Sequence, residues 1–214
     1  IDQDWLIGRF VEASAQDVDR AVQAAQAAYP AWAATPWRER VALLRRAARL
    51  IEERVYAISA AVALEVGKNR MESIGEVQET ADLIDWYCDQ MEANEGFDRA
   101  LPDDPLPHFR SHNRTVLRPY GVWAVIAPFN FPFALAGGPL GPALIAGNTA
   151  VFKVSPETSL SGRLLLDVLH DAGLPAGVIN FVTGGDATGR ALVEHPGVAG
   201  ITFTGSRAVG LRVL

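Results

Sequence analysis

A chain of 214 residues can bury a sizeable core as one large domain or two small ones. Its 49% hydrophobic and 21% charged content is that of a globular protein. A net charge of −6 argues against a nucleic-acid-binding or anionic-membrane surface.

Ile7-Gly8-Arg9-Phe10-Val11 reads as a short strand. Ser14 then offers a helix N-cap, with Asp17 at the third helical position and Asp19 also in the first turn, where negative charge suits the dipole. Val18, Val22, Ala25, Tyr29 and Trp32 recur at three- and four-residue steps, an amphipathic helix in which Pro30 demands a kink or break. Thr35-Pro36 predicts a cap with proline at the first position of a second helix. Val41, Leu44, Ala48, Ile51, Val55, Ile58 and Val62 carry that helix through about six turns to a stop at Gly67. Its Arg38, Arg40, Arg45, Arg46, Arg49 and Arg54, interleaved with Glu39, Glu52 and Glu53, read as a solvated face. A third helix carries Met71, Ile74, Val77, Ala81, Ile84, Cys88 and Met91 and runs out near Gly96. Residues 1–106 are therefore expected to be mainly helical.

Leu101 to Pro107 holds three prolines and two aspartates and is the best candidate linker. Within residues 107–120, Pro107–Ser111 and Arg114–Arg118 are expected to pair as a hairpin turning at His112-Asn113, exposed and in need of a partner. From Gly121 the pattern becomes strand then helix. Strands are expected at 122–127, 149–153, 178–182 and 199–203, with helices at 132–146, 159–172, 186–195 and from Ser206. Alternation of this kind over 121–214 predicts an α/β fold, a parallel sheet with helices on both faces.

In such a sheet, ligands bind beyond the carboxyl ends of the strands. Asn130 follows the first strand, between Phe129 and Phe131. It is either a satisfied turn residue or an amide that stabilises a developing oxyanion in a dry site. Lys153 ends the second strand, and either reaches solvent or binds a ribose or phosphate. Gly184-Gly185-Asp186-Ala187-Thr188-Gly189 opens a helix where backbone could approach a phosphate, though a plain tight turn explains it equally well. Ser206, after Phe203-Thr204-Gly205, reads first as an N-cap.

The single cysteine, Cys88, lies on an apolar stripe and reads as a buried structural thiol rather than a nucleophile. One cysteine also excludes an internal disulfide, consistent with a reducing, cytoplasmic setting. No stretch has the length of a membrane span and no signal-peptide pattern opens the chain. His108 and His112 could share a strand face but have no third ligand nearby, which excludes a zinc site there. His170 and His195 fall near helix C-termini, where an imidazolium is favourable without catalysis.

Together the segments resemble the NAD(P)-dependent aldehyde dehydrogenase superfamily. The motifs are Val-Ile-Ala-Pro-Phe-Asn-Phe-Pro (125–132), Pro-Ala-Leu-Ile-Ala-Gly-Asn-Thr-Ala-Val-Phe-Lys (142–153), Ala-Gly-Leu-Pro-Ala-Gly-Val-Ile-Asn (172–180) and Ile-Thr-Phe-Thr-Gly-Ser (201–206), with Glu65-Val66-Gly67-Lys68 upstream. Within it, Tyr87-Cys88-Asp89-Gln90-Met91 and Ile201 to Arg212 look closest to 1-pyrroline-5-carboxylate dehydrogenases. Benzaldehyde-type and succinylglutamate-semialdehyde-type members share much of the pattern.

The resemblance implies a Rossmann-like cofactor domain and a small aldehyde oxidised to its acid, with NAD or NADP as hydride acceptor. Ile126, Ala127, Pro128 and Phe129 would line the nicotinamide and ribose side, and Asn130 would donate to the oxyanion. Lys153, Ser155, Pro156 and Glu157 would hold the adenosine ribose. Gly185 and Gly189 would lie under the adenine, while Phe203, Thr204, Gly205, Ser206 and Val209 would shape the pyrophosphate and nicotinamide region. The 107–118 hairpin resembles strands that members pair with a neighbouring subunit, implying a homo-oligomer of the full-length form.

Two departures stand out. Where many NAD-preferring members place a glutamate three residues after the lysine, this chain has Pro156, with Glu157 one later, so NAD versus NADP stays open. The family's nucleophilic cysteine and general-base glutamate lie downstream of the Phe-Thr-Gly-Ser motif, and Cys88 does not match the nucleophile's position. The chain begins at Ile1 rather than Met and stops at Leu214 in a helix start. The expectation is the N-terminal part of such an enzyme, without its catalytic domain and inactive alone. A non-catalytic nucleotide-binding or assembly module is the competing class.

Overall fold

The computed structural model describes residues 6–214. Helix α1 (Ala15–Ala34) opens with the expected cap. The Asp17 N–H donates to Ser14 Oγ at 3.3 Å, and the Ser14 N–H donates to Asp17 Oδ2 at 2.8 Å. Pro30 neither breaks nor ends the helix. It lies on the exposed side, where water can reach the carbonyl that its missing N–H leaves without a partner. The expected strand at Ile7–Val11 does not form. The chain after it is instead tied to the far end of the sequence, with the Ala13 N–H donating to the Thr183 carbonyl at 2.8 Å.

The second helix differs from expectation at its start and in its middle. Pro36, not Thr35, occupies the cap position of α2 (Trp37–Glu53), and the Thr35 hydroxyl donates back to the Ala31 carbonyl at 3.0 Å. At Arg54 (φ −103°, ψ 10°) the helix breaks, and α3 (Val55–Val66) continues to Gly67, which takes the left-handed φ of 73° that favours glycine. The apolar spacing crosses the break because both pieces bury a face against α4 (Arg70–Ala93), while α3 also packs on α6 (Ser159–Asp171).

Nor is the arginine series a solvated face throughout. Arg40 is buried, donating from Nε to the Ile145 carbonyl at 2.8 Å and also to the Thr35 carbonyl. Arg45 bridges α2 to Asp85, Asp89 and Glu92 of α4 at 3.1, 2.5 and 2.8 Å.

The expected hairpin is also placed differently. Strand β1 (Asp98–Ala100) pairs antiparallel with β2 (Arg114–Val116), Arg99 opposite Thr115, and Pro107–Ser111 is not a strand. Prolines at 102, 105 and 107 cannot donate to a ladder. Pairing therefore falls on the segment before them, joined by an Arg114–Asp98 ion pair. His108 takes a positive φ of 66° in the intervening loop, so it shares no strand face with His112.

From Gly121 onward the strands and helices fall within two residues of expectation. They are β3 (Val122–Ile126), α5 (Ala134–Ile145), β4 (Thr149–Lys153), α6, β5 (Ile179–Val182), α7 (Asp186–Val193), β6 (Gly200–Phe203) and α8 (Arg207–Val213). The sheet is parallel in the order β5-β4-β3-β6, with Ile126 level with Lys153 on one side and Phe203 on the other. Alternate residues serve opposite faces. Val125 and Phe152 join Leu44, Ile84, Phe133 and Leu165 in one core, while Ala124 and Val151 join Val18, Val22 and Leu192 of α1 and α7 in the other.

Two glutamates lock the helical half to the sheet half. Glu76, buried on α4, accepts from the Phe133 and Ala134 N–H groups at 2.8 and 3.2 Å, which are orphan donors at the start of α5. Its other oxygen meets Lys68 Nζ at 2.5 Å. Glu65 does the same for α6, accepting from the Leu160 and Ser161 N–H groups at 2.8 Å each.

Removing Glu76 leaves two buried donors and a largely buried ammonium unpaired. Glu76→Ala is expected to lower unfolding free energy by about 3 kcal/mol in urea titration, with Glu76→Gln costing less. Gly137 of α5 sits against Thr80 of α4 so closely that an added Cβ would overlap the threonine methyl. Gly137→Ala is expected to cost about 2 kcal/mol in the same assay.

Candidate functional site

Parallel strands deliver their carboxyl ends to one edge of the sheet, and the residues singled out by motif meet there. Ile126, Ala127, Pro128, Phe129 and Asn130 leave β3, and Lys153, Ser155 and Pro156 leave β4. Gly185 stands before α7, and Phe203, Thr204, Gly205, Ser206 and Val209 run from β6 into α8. All of these line one cleft of about 590 Å³. Gly189 lines an adjoining hollow of about 400 Å³ together with Lys153, Gly185, Phe203 and Val209. Glu157 lines neither; its carboxylate accepts from the Ser155 hydroxyl instead.

The strand ends are held firmly. The Ala127 N–H donates to the Lys153 carbonyl at 2.9 Å and the Thr204 N–H to the Ile126 carbonyl at 3.0 Å, extending the ladder one step past the strands. Beyond them, the turn 128–132 is exposed at Phe129, Asn130 and Phe131. Phe131 lies beneath the Lys68 ammonium, 3.3 Å from ring centroid to Nζ. The Asn130 amide is thus presented at the surface of the cleft.

Lys153 is buried, its Nζ donating to the Val154 carbonyl at 3.2 Å. Burial pulls its pKa below the usual lysine value, and the nearby carboxylates of Asp186, Glu157 and Glu12 oppose that shift. Glu157 is held below the ordinary carboxylate range, chiefly by the Ser155 hydroxyl and with a contribution from Lys153. Glu12 Oε1 accepts the Gly185 N–H at 3.1 Å, so a carboxylate occupies the amide donor at the start of α7. Ser206 caps α8, accepting the Val209 N–H at 3.3 Å, and lines the cleft as well.

Residues 3–214 match the model of the Aldehyde dehydrogenase family. The chain belongs to that family. It is 41% identical over 198 residues to N-succinylglutamate 5-semialdehyde dehydrogenase 2 of Caulobacter vibrioides, covering 92% of this chain and 39% of the relative. It is 37% identical over 209 residues to 1-pyrroline-5-carboxylate dehydrogenase of Staphylococcus epidermidis, covering 97% and 40%. Among solved structures it resembles NADP-dependent glyceraldehyde-3-phosphate dehydrogenase from Bacillus halodurans C-125 complexed with NADP. There the TM-score is 0.86 at 40% identity, with 94% of this chain and 43% of that one covered. A bifunctional proline utilization A (PutA) protein superposes with a TM-score of 0.91 at 33% identity, over 97% of this chain and 21% of that one. The chain spans about two-fifths of the length of the curated relatives it matches.

In this aldehyde dehydrogenase chain the lone thiol is far from suited to nucleophilic work. Cys88 is fully buried among α2, α4 and their neighbours, and burial pushes its pKa up to about 12. His170 sits in the last turn of α6, as expected. His195 is used otherwise: its Nε2 lies 3.1 Å from Asp19 and its Nδ1 accepts the Gly197 N–H, tying the exit of α7 to α1. Among the described residues there is no cluster of histidine, cysteine and acidic side chains able to hold a metal, and no helix long and apolar enough to cross a membrane.

Sequence reasoning missed Glu12 and Glu76, and noted Glu65 and Lys68 only as part of the upstream motif, with no partner assigned to either. The signal for Glu76 was present: Ser73, Glu76, Val77 and Thr80 recur at helical spacing along the buried stripe of α4, so a carboxylate there needs a partner.

The folded thiol keeps its proton where the unfolded one, titrating near 9.0, has lost it. Stability attributable to Cys88 is therefore present below that value and falls as pH rises toward 12. At pH 8 a disulfide reagent is expected to label the folded chain on the order of a thousandfold more slowly than the unfolded chain.

Proposed function

We propose that this chain forms the cofactor-binding wall of an NAD(P)-dependent oxidoreductase that converts an aldehyde to a carboxylic acid. The observation that carries the reading is the convergence of the β3, β4 and β6 ends, with their motif residues, on one cleft. The cleft fits a dinucleotide. Gly185 and Gly189 leave its floor open, since a Cβ at either would make only ordinary contacts, and Lys153 supplies a cation at the end of β4. When bound, the nicotinamide accepts a hydride from the substrate.

The chain's own residues bind, orient and exclude water. Ile126, Ala127, Pro128 and Phe129 form an apolar wall for the nicotinamide side, with Phe203, Thr204, Gly205, Ser206 and Val209 opposite. Lys153, Ser155 and Pro156 receive the adenosine ribose, with Glu157 just behind. Gly185 and Gly189 lie toward the adenine. Asn130 is the catalytic residue: its amide N–H donates to the oxygen of the aldehyde as negative charge develops on it. The exposed β1–β2 ribbon and the loop between its strands serve as a subunit contact in the full-length protein. The cell compartment consistent with the single unpaired thiol is the cytoplasm.

The buried Cys88 cannot supply the attacking thiolate, so the 214 residues alone bind cofactor without turnover. Calorimetric titration with NAD and NADP is expected to show one-site binding of at least one of them. Incubation with either cofactor and a panel of aldehydes, glutamate semialdehyde included, is expected to yield no reduced cofactor. Binding of neither dinucleotide, or sustained reduction, would contradict the assignment.

A further inference from the structure

Lys68 is the middle residue of a three-residue link, 67–69, that is pinned at both ends. Before it, Gly67 closes α3 with a φ of 73°, and its N–H donates to the Ala63 carbonyl at 3.0 Å. After it, Asn69 caps α4, its Oδ1 accepting the Glu72 N–H at 3.0 Å. A fixed link gives the lysine a fixed point of departure. Its side chain turns inward, with 12% of its surface left exposed.

The ammonium ends between two partners. It pairs with Glu76, whose side chain is fully buried, and it lies over the Phe131 ring. Each partner is joined to the turn 128–132 that bears Asn130. Glu76 accepts the Phe133 and Ala134 N–H groups just after the turn, and the Phe131 carbonyl within it accepts the Leu135 N–H at 3.1 Å. Asn130 itself is exposed. It lines the cleft and also a second hollow of about 530 Å³ that Lys68, Glu76 and Phe131 help to wall. Bordering two open spaces, its amide keeps one aim only if the turn is held firmly.

We propose that Lys68 is a positioning residue for Asn130, its ammonium locking Phe131 and Glu76 together and thereby fixing the turn that aims the Asn130 amide. The proposal rests on the reading of Asn130 as the oxyanion donor and adds the group that keeps that donor in place. Lys68 acts through its two partners and is not among the residues lining the cofactor cleft. Desolvation offsets much of the attraction in a buried ion pair, so such a pair contributes little net stability. Here its geometry selects one arrangement of the turn. A donor to a developing oxyanion is effective only when its neighbours already hold it in place.

The test is solution NMR on the 214-residue chain and on its Lys68→Met, Lys68→Arg and Phe131→Leu variants. In the unaltered chain the Asn130 backbone is expected to be as ordered as the helices, with an order parameter of about 0.85. The Lys68 ε-protons are expected to be shifted upfield by the Phe131 ring. Lys68→Met keeps most of the side chain's length and leaves Glu76 its two amide donors. It is expected to bring the Asn130 order parameter below about 0.6 and to speed exchange of the Leu135 amide at least about tenfold. Exchange at Ala150, in the central sheet, is expected to stay within about twofold. Lys68→Arg supplies a cation able to hold both partners and is expected to restore the order. Phe131→Leu keeps the ion pair, removes the ring and is expected to loosen the turn. An ordered turn in Lys68→Met or Phe131→Leu overturns the proposal, and so does an equal loss of protection at Ala150 or a failure of Lys68→Arg to restore order. Calorimetric titration with NAD and NADP reports on the cofactor reading separately. Binding of neither overturns that reading, and with it the role of Asn130, whatever the order of the turn.

Discussion

The structure depends on two carboxylates reaching from the helical half into the helix starts of the sheet half. Glu76 holds the first amides of α5, which follows β3, and Glu65 holds those of α6, which follows β4. Each helix start directly ends a loop that lines the cleft, 127–133 in one case and 154–158 in the other. A helix N-terminus leaves unsatisfied donors and a partial positive charge, and an anion satisfies both. The same two contacts therefore dock the layers and fix the loops. Lys68 balances Glu76 and covers Phe131, so the turn bearing Asn130 is held from behind by charge and beside by an aromatic face.

Docking of the two halves also explains the burial of Arg40. Its guanidinium donates to the Ile145 carbonyl at the end of α5, so that helix is held at its start by Glu76 and at its finish by Arg40. Burial alone disfavours the charged arginine and pulls its pKa down. Carbonyl groups at a helix C-terminus, carrying partial negative charge, are the complementary partners. Helix α5 contains Pro139 and Pro142 and several glycines, a poor helix by propensity. Packing and the two charged clamps, rather than intrinsic preference, hold it in place.

Much of this was legible from residue pattern. Short apolar runs set off by turn residues located the four parallel strands, most sharply the two central ones, β3 and β4, where burial leaves few alternatives to Val, Ile, Phe and Ala. The cleft followed from topology, since parallel strands must present their carboxyl ends together. What pattern could not supply were the long-range partners. Glu76 meets Phe133 across 57 positions, and Arg40 meets Ile145 across 105, and neither pairing leaves a local trace. The break at Arg54 preserves the apolar register on both sides, so periodicity passes through it unmarked. The ribbon strand at Asp98–Ala100 was hidden for a different reason: three polar and small residues, none of them buried, carry no apolar alternation to detect.

The N-terminal segment shows why the strand-end cleft cannot be cut from the helices before it. Helix α1 packs on β4, β5 and α7, burying Val18, Val22 and Ala25 against Val151, Val182 and Leu192. Without α1 that face of the sheet would stand open to water. The sheet's other face needs α2 and α4 in the same way, through Leu44 and Ile84. The same α1 docking brings Glu12 to Gly185, 173 positions away, and His195 to Asp19. Packing required for stability thereby delivers a charged group to the rim of the cleft, and the sheet's cover and its electrostatic character arise from one contact surface.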